Sequence, residues 1–127
     1  MKVFENINVA IDYNRDKMRL TQTWNGFATS ETFREGIDET LKFIIHNQVK
    51  TVLSDAMKQH VVKPEDAQYA ASVMPQLKRN GMKAMAFVVP ESAFTKLSLQ
   101  KFSKSAEDPL VKYFMSKNEA NQWLDQQ

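Results

Sequence analysis

The sequence contains no cysteine and few glycines or histidines among its 127 residues. Without cysteine there can be no disulfide, thiol nucleophile or thiolate metal ligand. The three glycines, Gly26, Gly36 and Gly81, are too far apart to form a phosphate-binding loop or a dinucleotide turn. His46 and His60 are the only imidazole groups, and they are distant in sequence. We therefore expect no metal site and no cofactor.

The chain also lacks a strong excess of charge of either sign. Seventeen Lys and Arg residues against fifteen Asp and Glu residues give a net charge of +2, which is too small to steer the protein to a polyanion. Nucleic-acid-binding proteins usually carry a clustered basic stripe. Here polar and apolar residues are interleaved with basic side chains such as Lys78, Arg79, Lys83, Lys96, Lys101 and Lys104. We predict a solvated face and no nucleic-acid partner.

Long apolar runs are absent as well. No stretch approaches the ~20 apolar residues that a membrane-spanning helix needs. The first residues lead into an alternating segment that contains Asp12, unlike the continuous apolar core of a signal peptide. We therefore expect a cytoplasmic protein without a membrane span. The length is near the commonest domain size, so residues 1–127 are expected to form one domain.

Two short apolar runs carry most of the information that is present. Residues 51–55 and 82–90 are each bounded by polar or turn residues, and one helix-like segment lies between them. Short runs without alternation are typical of strands buried on both faces. The pattern predicts a β-α-β unit whose two strands lie side by side and parallel in the middle of one sheet. The fold class is therefore α/β.

The flanking segments predict the remaining elements. Alternating apolar residues around a polar tetrad at residues 14–17 indicate an N-terminal β-hairpin. Thr29 or Ser30 is suited to begin a helix, in which Gly36 is expected to lie close to a strand. Pro75 is expected to kink or break the next helix. Residues 111–115 predict a last strand, and Ser116 begins a capping box for a terminal helix.

Several local strings, in this order and spacing, resemble the STAS-like (SpoIIAA-like) superfamily. The likeness is greatest to a branch of small stand-alone bacterial proteins of unassigned activity, and it covers residues from about 7 to the end. The strings are TWNGF at 23–27, SETFREG at 30–36, LSD at 53–55, PED at 64–66, GMK at 81–83, AFVVPE at 86–91, YF at 113–114, EA at 119–120 and WL at 123–124.

The resemblance implies a mixed sheet of about five strands with helices mainly on one face, an N-terminal hairpin and a C-terminal helix. In the anti-sigma-factor antagonists of this superfamily, a strand-end Asp is followed by a phosphorylatable Ser at a helix start. Asp55 matches the strand-end acid. The corresponding helix start here is Lys63-Pro64-Glu65-Asp66, which has no hydroxyl. The phosphorylation switch is therefore not transferred to this chain.

The candidate binding residues follow from the predicted sheet. Ligands of open α/β sheets gather at the carboxyl ends of the strands, where Asp55 is expected. We name as the predicted rim the polar residues of that strand end, the following loop and the next helix start, which are Ser54, Asp55, His60, Glu65 and Asp66. The alternative for Asp55 is a structural one, in which its carboxylate hydrogen-bonds the following loop.

These residues are compatible with three functions. The first is a non-enzymatic regulatory or protein-interaction module that binds a protein partner, or forms a homodimer, through the predicted rim. The second is a small-ligand or lipid-binding protein with an apolar pocket between residues 94–102 and the sheet. The third is an enzyme that uses Asp55 with His60, although no catalytic constellation is evident. Trp24, Phe27 and Trp123 are expected to cap the core from the ends of elements, whereas a cluster of them left exposed would mark a partner or lipid site.

Overall fold

A mixed sheet with helices on both faces forms the frame of this computed structural model, which describes residues 1–95 and 109–127. Within these ranges the strands are β1 (Lys2–Glu5), β2 (Val9–Asn14), β3 (Arg19–Gly26), β4 (Thr51–Gln59), β5 (Ala84–Val88) and β6 (Val111–Phe114). The helices are α1 (Ser30–His46), α2 (Pro64–Arg79) and α3 (Lys117–Asp125), and residues 91–95 are also helical.

The strands lie in the sheet in the same order as in the chain. β1, β2 and β3 form an antiparallel meander, whereas β3, β4, β5 and β6 are parallel to one another. Val52 pairs with Met85 and Asp55 with Val88, so β4 and β5 are parallel neighbours in the middle of the sheet. The predicted β-α-β unit is confirmed.

Each face of the sheet has its own apolar core. Successive residues of a strand point to opposite faces, so Val52 contributes to one core and Leu53 to the other. The long helices α1 and α2 pack on the first face, which we call the α1/α2 face. The short helix α3 covers β4 and β5 on the second face, through Ala120 and Leu124. The prediction of helices mainly on one face is confirmed.

Gly36 lies where α1 crosses the sheet most closely. A Cβ atom at this position would lie 2.8 Å from the Trp24 ring and 2.9 Å from a methyl group of Val9, both closer than packed atoms approach. Both neighbours are buried. The predicted close approach to a strand is confirmed, and it explains a residue that weakens a helix by about 1 kcal/mol relative to alanine.

The structure differs from the sequence predictions in three elements. β1 is an additional strand, held to β2 through an irregular register. β4 continues through Gln59, although residues 56–63 were predicted to be a loop. Helix α2 is not broken at Pro75, which lies inside it. Pro75 leaves the Ala71 carbonyl without a helical hydrogen bond, and both residues are exposed, so water can satisfy that carbonyl.

Both predicted helix starts are confirmed by their caps. The Thr29 hydroxyl accepts a hydrogen bond from the Thr32 amide at 3.1 Å, and α1 begins at the next residue. The Ser116 hydroxyl accepts from the Glu119 amide at 3.3 Å in front of α3. Side-chain caps of this kind replace the intrahelical partners that the first amides of a helix lack.

Candidate functional site

The carboxyl ends of the parallel strands and the N-termini of the helices lie at one end of the sheet. β3, β4, β5 and β6 all finish there, and α1, α2 and α3 all begin there. The turn between β1 and β2 reaches the same end, because the Asn8 carbonyl accepts a hydrogen bond from the Asn25 amide at 2.9 Å. We call this the carboxyl end of the sheet. The sequence predicts the rim at this end of the sheet.

β4 extends beyond its neighbour β5 at this end. The β4–β5 pairing finishes at Asp55, while β4 continues along β3 as far as Gln59. The register with β3 shifts after Asp55, which gives β4 one extra residue and a β-bulge. The Asp55 carboxylate accepts a hydrogen bond from the Met57 amide at 3.2 Å and so supports this bulge. The contact corresponds to the structural alternative for Asp55.

The predicted rim residues do not share one surface. Ser54 is buried and lies on the opposite face of the sheet from its neighbour Asp55, which is half-buried. His60 is exposed, and its ring lies edge-on to Phe27 with 6.5 Å between centroids. Within the described part of the chain no hydrogen bond joins Asp55 to His60. The structure brings no nucleophile, base and acid together from this set.

Asp66 joins the two long helices from a buried position. Its carboxylate accepts a hydrogen bond from the Ser30 hydroxyl at 2.8 Å and forms an ion pair with the Arg34 guanidinium at 3.0 Å. Arg34 also stacks over the Tyr69 ring at 4.8 Å, and the Tyr69 hydroxyl donates to Asp38. Asp66 is therefore a structural residue between α1 and α2, whereas its neighbour in the predicted rim, Glu65, is exposed.

The surroundings of Asp66 set its protonation behaviour. Burial by itself raises the pKa of the carboxyl group, but the hydrogen bonds from Ser30 and Arg34 and the Arg34 charge outweigh it. The net effect holds the pKa of Asp66 below its usual value. Asp66 therefore stays ionised at neutral pH and links α1 to α2 as a charged group.

We expect this ion pair to make stability depend on pH in acid. Because the folded pKa of Asp66 is depressed, its contribution is fully present above the pKa of an unfolded carboxyl, about 4. It is lost as the pH falls from there through the folded pKa. The stability gap between the wild type and Asp66→Asn should therefore be widest at neutral pH and should close in acid.

Urea unfolding at a series of pH values measures this gap. Glu65→Gln is the matched control, because Glu65 is the exposed neighbour and should give only a small difference throughout. A gap for Asp66→Asn that stays constant from neutral pH to pH values near 3 would show that the ionised carboxylate adds nothing to the fold.

Exposed apolar side chains gather at the same end of the sheet. Seven large apolar residues are exposed in the described part of the chain, and five of them lie at the carboxyl end. Four adjoin the ends of β3 and β4 and form what we call the apolar cluster: Ile7 (81 % exposed), Phe27 (62 %), Met57 (45 %) and Val61 (84 %). Met115, which follows β6, is the fifth.

The sequence pattern did not identify this cluster. Phe27 was predicted to cap the core but is exposed, whereas Trp24 is buried as predicted. Ile7 is exposed because it lies in the turn before β2. Val61 was missed, since nothing in a polar stretch marks one valine as a surface residue.

Neither a metal-binding cluster nor a membrane-spanning helix is present in the described residues. No group of three or more His, Asp or Glu side chains in residues 1–95 and 109–127 is arranged to hold a metal ion. No helix in the same ranges has the length and apolar character needed to cross a bilayer. The predicted apolar pocket involves residues 94–102, most of which lie outside the described residues, so it stays a prediction.

Comparison with known proteins supports the architecture. No protein-family model matches the chain, and no curated protein matches it. Among solved structures, the chain is similar to an uncharacterized protein of the DUF3478 family from Shewanella loihica PV-4, which has a SpoIIAA-like fold. The two chains are 17% identical with a TM-score of 0.56, and the match covers 95% of this chain and 98% of the other.

This protein therefore has a SpoIIAA-like fold, as the local strings of the sequence predicted. At this level of identity the likeness establishes the fold and transfers no activity.

Proposed function

We propose that this protein is a non-enzymatic interaction module that binds a protein partner at the carboxyl end of its sheet, in a regulatory role. The observation that carries the proposal is the apolar cluster of Ile7, Phe27, Met57 and Val61, in which each side chain is at least 45 % exposed. Exposed apolar side chains that gather in one region of a small protein can mark an interaction site. Its concentration at one end of the sheet favours a defined binding surface over scattered exposure.

The backbone next to the cluster suits an extended segment of the partner. Beyond Asp55, β4 pairs with β3 on one side. On its other side, no described residue of β5 pairs with β4. The segment from Ala56 to Gln59 therefore offers backbone groups to which a partner strand can add. The exposed side chains of Met57 and Val61 would contact alternate side chains of that strand. We propose as occupant an extended apolar segment of a protein.

Charges around the cluster complete the proposed surface. Lys58 and Lys63 are exposed on either side of His60, and Glu65 is exposed at the start of α2. Interfaces commonly place such polar groups in a rim around an apolar centre. The exposed members of the predicted rim, His60 and Glu65, would border the partner. Ser54 and Asp66 are buried and would stabilise the strand and the helix that carry this surface.

The same residues argue against the enzymatic alternative. Asp55 supports a β-bulge, His60 packs edge-on to Phe27, and Ser54 is buried on the other face of the sheet. A base needs a nucleophile or a substrate proton within hydrogen-bond reach. The start of α2 has no hydroxyl, and the nearby Ser30 hydroxyl donates to Asp66. These contacts favour a binding role for this end of the molecule over a catalytic or phosphorylated one.

Chemical cross-linking with mass spectrometry tests the proposal. The wild type and the double variant Phe27→Asp/Val61→Asp are used as bait, and the partner is identified by cross-links to Lys58 or Lys63. We expect the double variant to recover at least ~10-fold less of that partner, because charged groups are introduced at the centre of the interface. The affinity of the purified pair is then measured for both proteins.

Ile45→Asp is the matched control, because Ile45 is 49 % exposed and lies at the C-terminal end of α1, away from the cluster. The control should retain the partner. Equal recovery by all three baits, or cross-links that avoid the carboxyl end, would contradict the proposal. Recovery of a bound small molecule in place of a protein would favour the ligand-binding alternative, and a self-cross-link at Lys58 would indicate a homodimer.

A further inference from the structure

Two lysines lie directly beside each other at the opposite end of the sheet. Lys50 and Lys83 precede the first residues of β4 and β5, and those residues, Thr51 and Ala84, are paired. The Lys83 amide donates a hydrogen bond to the Lys50 carbonyl at 2.7 Å. The pairing of the two central strands therefore places two ammonium-bearing side chains at neighbouring positions.

Both lysines border the α1/α2 face of the sheet. Val49 and Val52 flank Lys50 in the sequence, Met82 and Met85 flank Lys83, and all four flanking residues pack in the core of that face. Both lysines line a cleft of about 590 Å³ between the C-terminal ends of α1 and α2.

No carboxylate balances these two charges in the described part of the chain. The residues that line the cleft include none that is acidic. The ion pairs among the described residues use Glu5, Asp66 and Asp125, and none involves Lys50 or Lys83. Like charges at neighbouring positions of adjacent strands destabilise a sheet. An anion bound between the two ammonium groups would remove the repulsion between them.

The remaining walls of the cleft suit an organic group. Lys50 is half-buried, and Met18 and Ile45 offer partly exposed apolar surface. Clefts of about 300–1,000 Å³ with an apolar wall and a few polar groups are typical of small-molecule sites. His46, which ends α1, lines the same cleft and is exposed.

We propose that this cleft binds a small molecule through a phosphate dianion held between Lys50 and Lys83. A dianion matches two ammonium groups in charge, and charge-assisted hydrogen bonds from lysine to phosphate oxygens are among the stronger polar contacts. The organic part of the ligand lies against Met18 and Ile45. This site is at the amino ends of the strands, and it does not depend on the apolar cluster or its proposed partner.

NMR titration of the whole chain with inorganic phosphate tests the site. Sodium chloride keeps the ionic strength constant, because the interaction is electrostatic and salt screens it. We expect saturable shifts centred on the amides of Lys50, Thr51, Lys83 and Ala84. The double variant Lys50→Gln/Lys83→Gln should bind phosphate at least ~10-fold more weakly. Lys58→Gln/Lys63→Gln, which removes two exposed lysines at the carboxyl end, should bind phosphate like the wild type.

Thermal unfolding gives a second and independent measurement. Without phosphate, Lys83→Gln should unfold at a higher temperature than the wild type, because it removes the repulsion between the two lysines. With phosphate, the wild type should gain stability and the variant should not. Shifts that do not saturate, shifts centred elsewhere, or equal binding by both double variants would overturn the proposal. A destabilised Lys83→Gln variant in phosphate-free buffer would also contradict it.

Discussion

Replacing Arg19 with methionine should lower the free energy of unfolding by about 2–3 kcal/mol, because the hydrogen bonds of a buried charged group are lost. Arg19 is the first residue of β3 and is only 4% exposed. Its guanidinium donates to the Thr51 hydroxyl at 3.0 Å, to the Asn121 amide oxygen at 2.9 Å and to the Asp125 carboxylate at 2.8 Å. One side chain therefore joins β3 to β4 and both to α3.

The loss should be concentrated in the docking of α3. Asp125 and Asn121 would each lose a partner, and a buried guanidinium would be replaced by a side chain that cannot hydrogen-bond them. Hydrogen bonds from Arg19 and from Lys17 hold the pKa of Asp125 below its usual value. Urea unfolding measures the total effect, and hydrogen exchange of the α3 amides locates it.

Lys17→Met is the control for Arg19→Met. Lys17 reaches the same carboxylate at 3.1 Å, but its side chain is exposed. An exposed ion pair contributes about 0–1 kcal/mol, so the control should lose little stability. If both variants lost the same amount, the burial of Arg19 would not be the reason for its importance.

Gly36→Ala should lower the free energy of unfolding by about 1–2 kcal/mol, even though alanine is the better helix former. The added methyl group would need space that the Trp24 ring and a Val9 methyl group occupy at 2.8 and 2.9 Å. Both are core side chains of the sheet, so α1 would have to move away from it. Urea unfolding measures the change.

A double-mutant cycle with Val9→Ala identifies the cause. Val9→Ala removes one of the two contacts, so Gly36→Ala should cost less in that background than in the wild type. A cost that is unchanged by Val9→Ala would mean that overpacking against this valine is not responsible. A stabilised Gly36→Ala variant would mean that helix propensity outweighs packing at this position.

The middle of the fold was predictable because its signals are local. Two short apolar runs with a helix between them identified β4, β5 and their parallel pairing. Thr29 and Ser116 identified two helix starts, since a cap is specified by residues within one turn. The extension of β4 past Asp55 was not predictable in this way. Its strand character comes from pairing with β3, which lies more than thirty residues earlier in the chain.

The same difference between local signals and long-range contacts applies to the site residues. His60 lies directly after β4, whereas Asp55 lies inside that strand and not at its end, because pairing with β3 extends β4 to Gln59. Asp66 was expected on the surface but is buried, since its Ser30 and Arg34 partners lie on another helix. The juxtaposition of Lys50 and Lys83 was also unforeseen. It depends on the register of two strands, which apolar runs do not specify.

The character of β1 also affects how copies of this protein can associate. Its outer edge is only four residues long, its register with β2 is irregular, and Lys2 and Glu5 form an exposed ion pair along it. Short, charged and irregular edges resist edge-to-edge pairing of sheets between molecules. Without β1, the regular six-residue edge of β2 would be open to such pairing. We expect this N-terminal strand to limit aggregation as well as to add to the sheet.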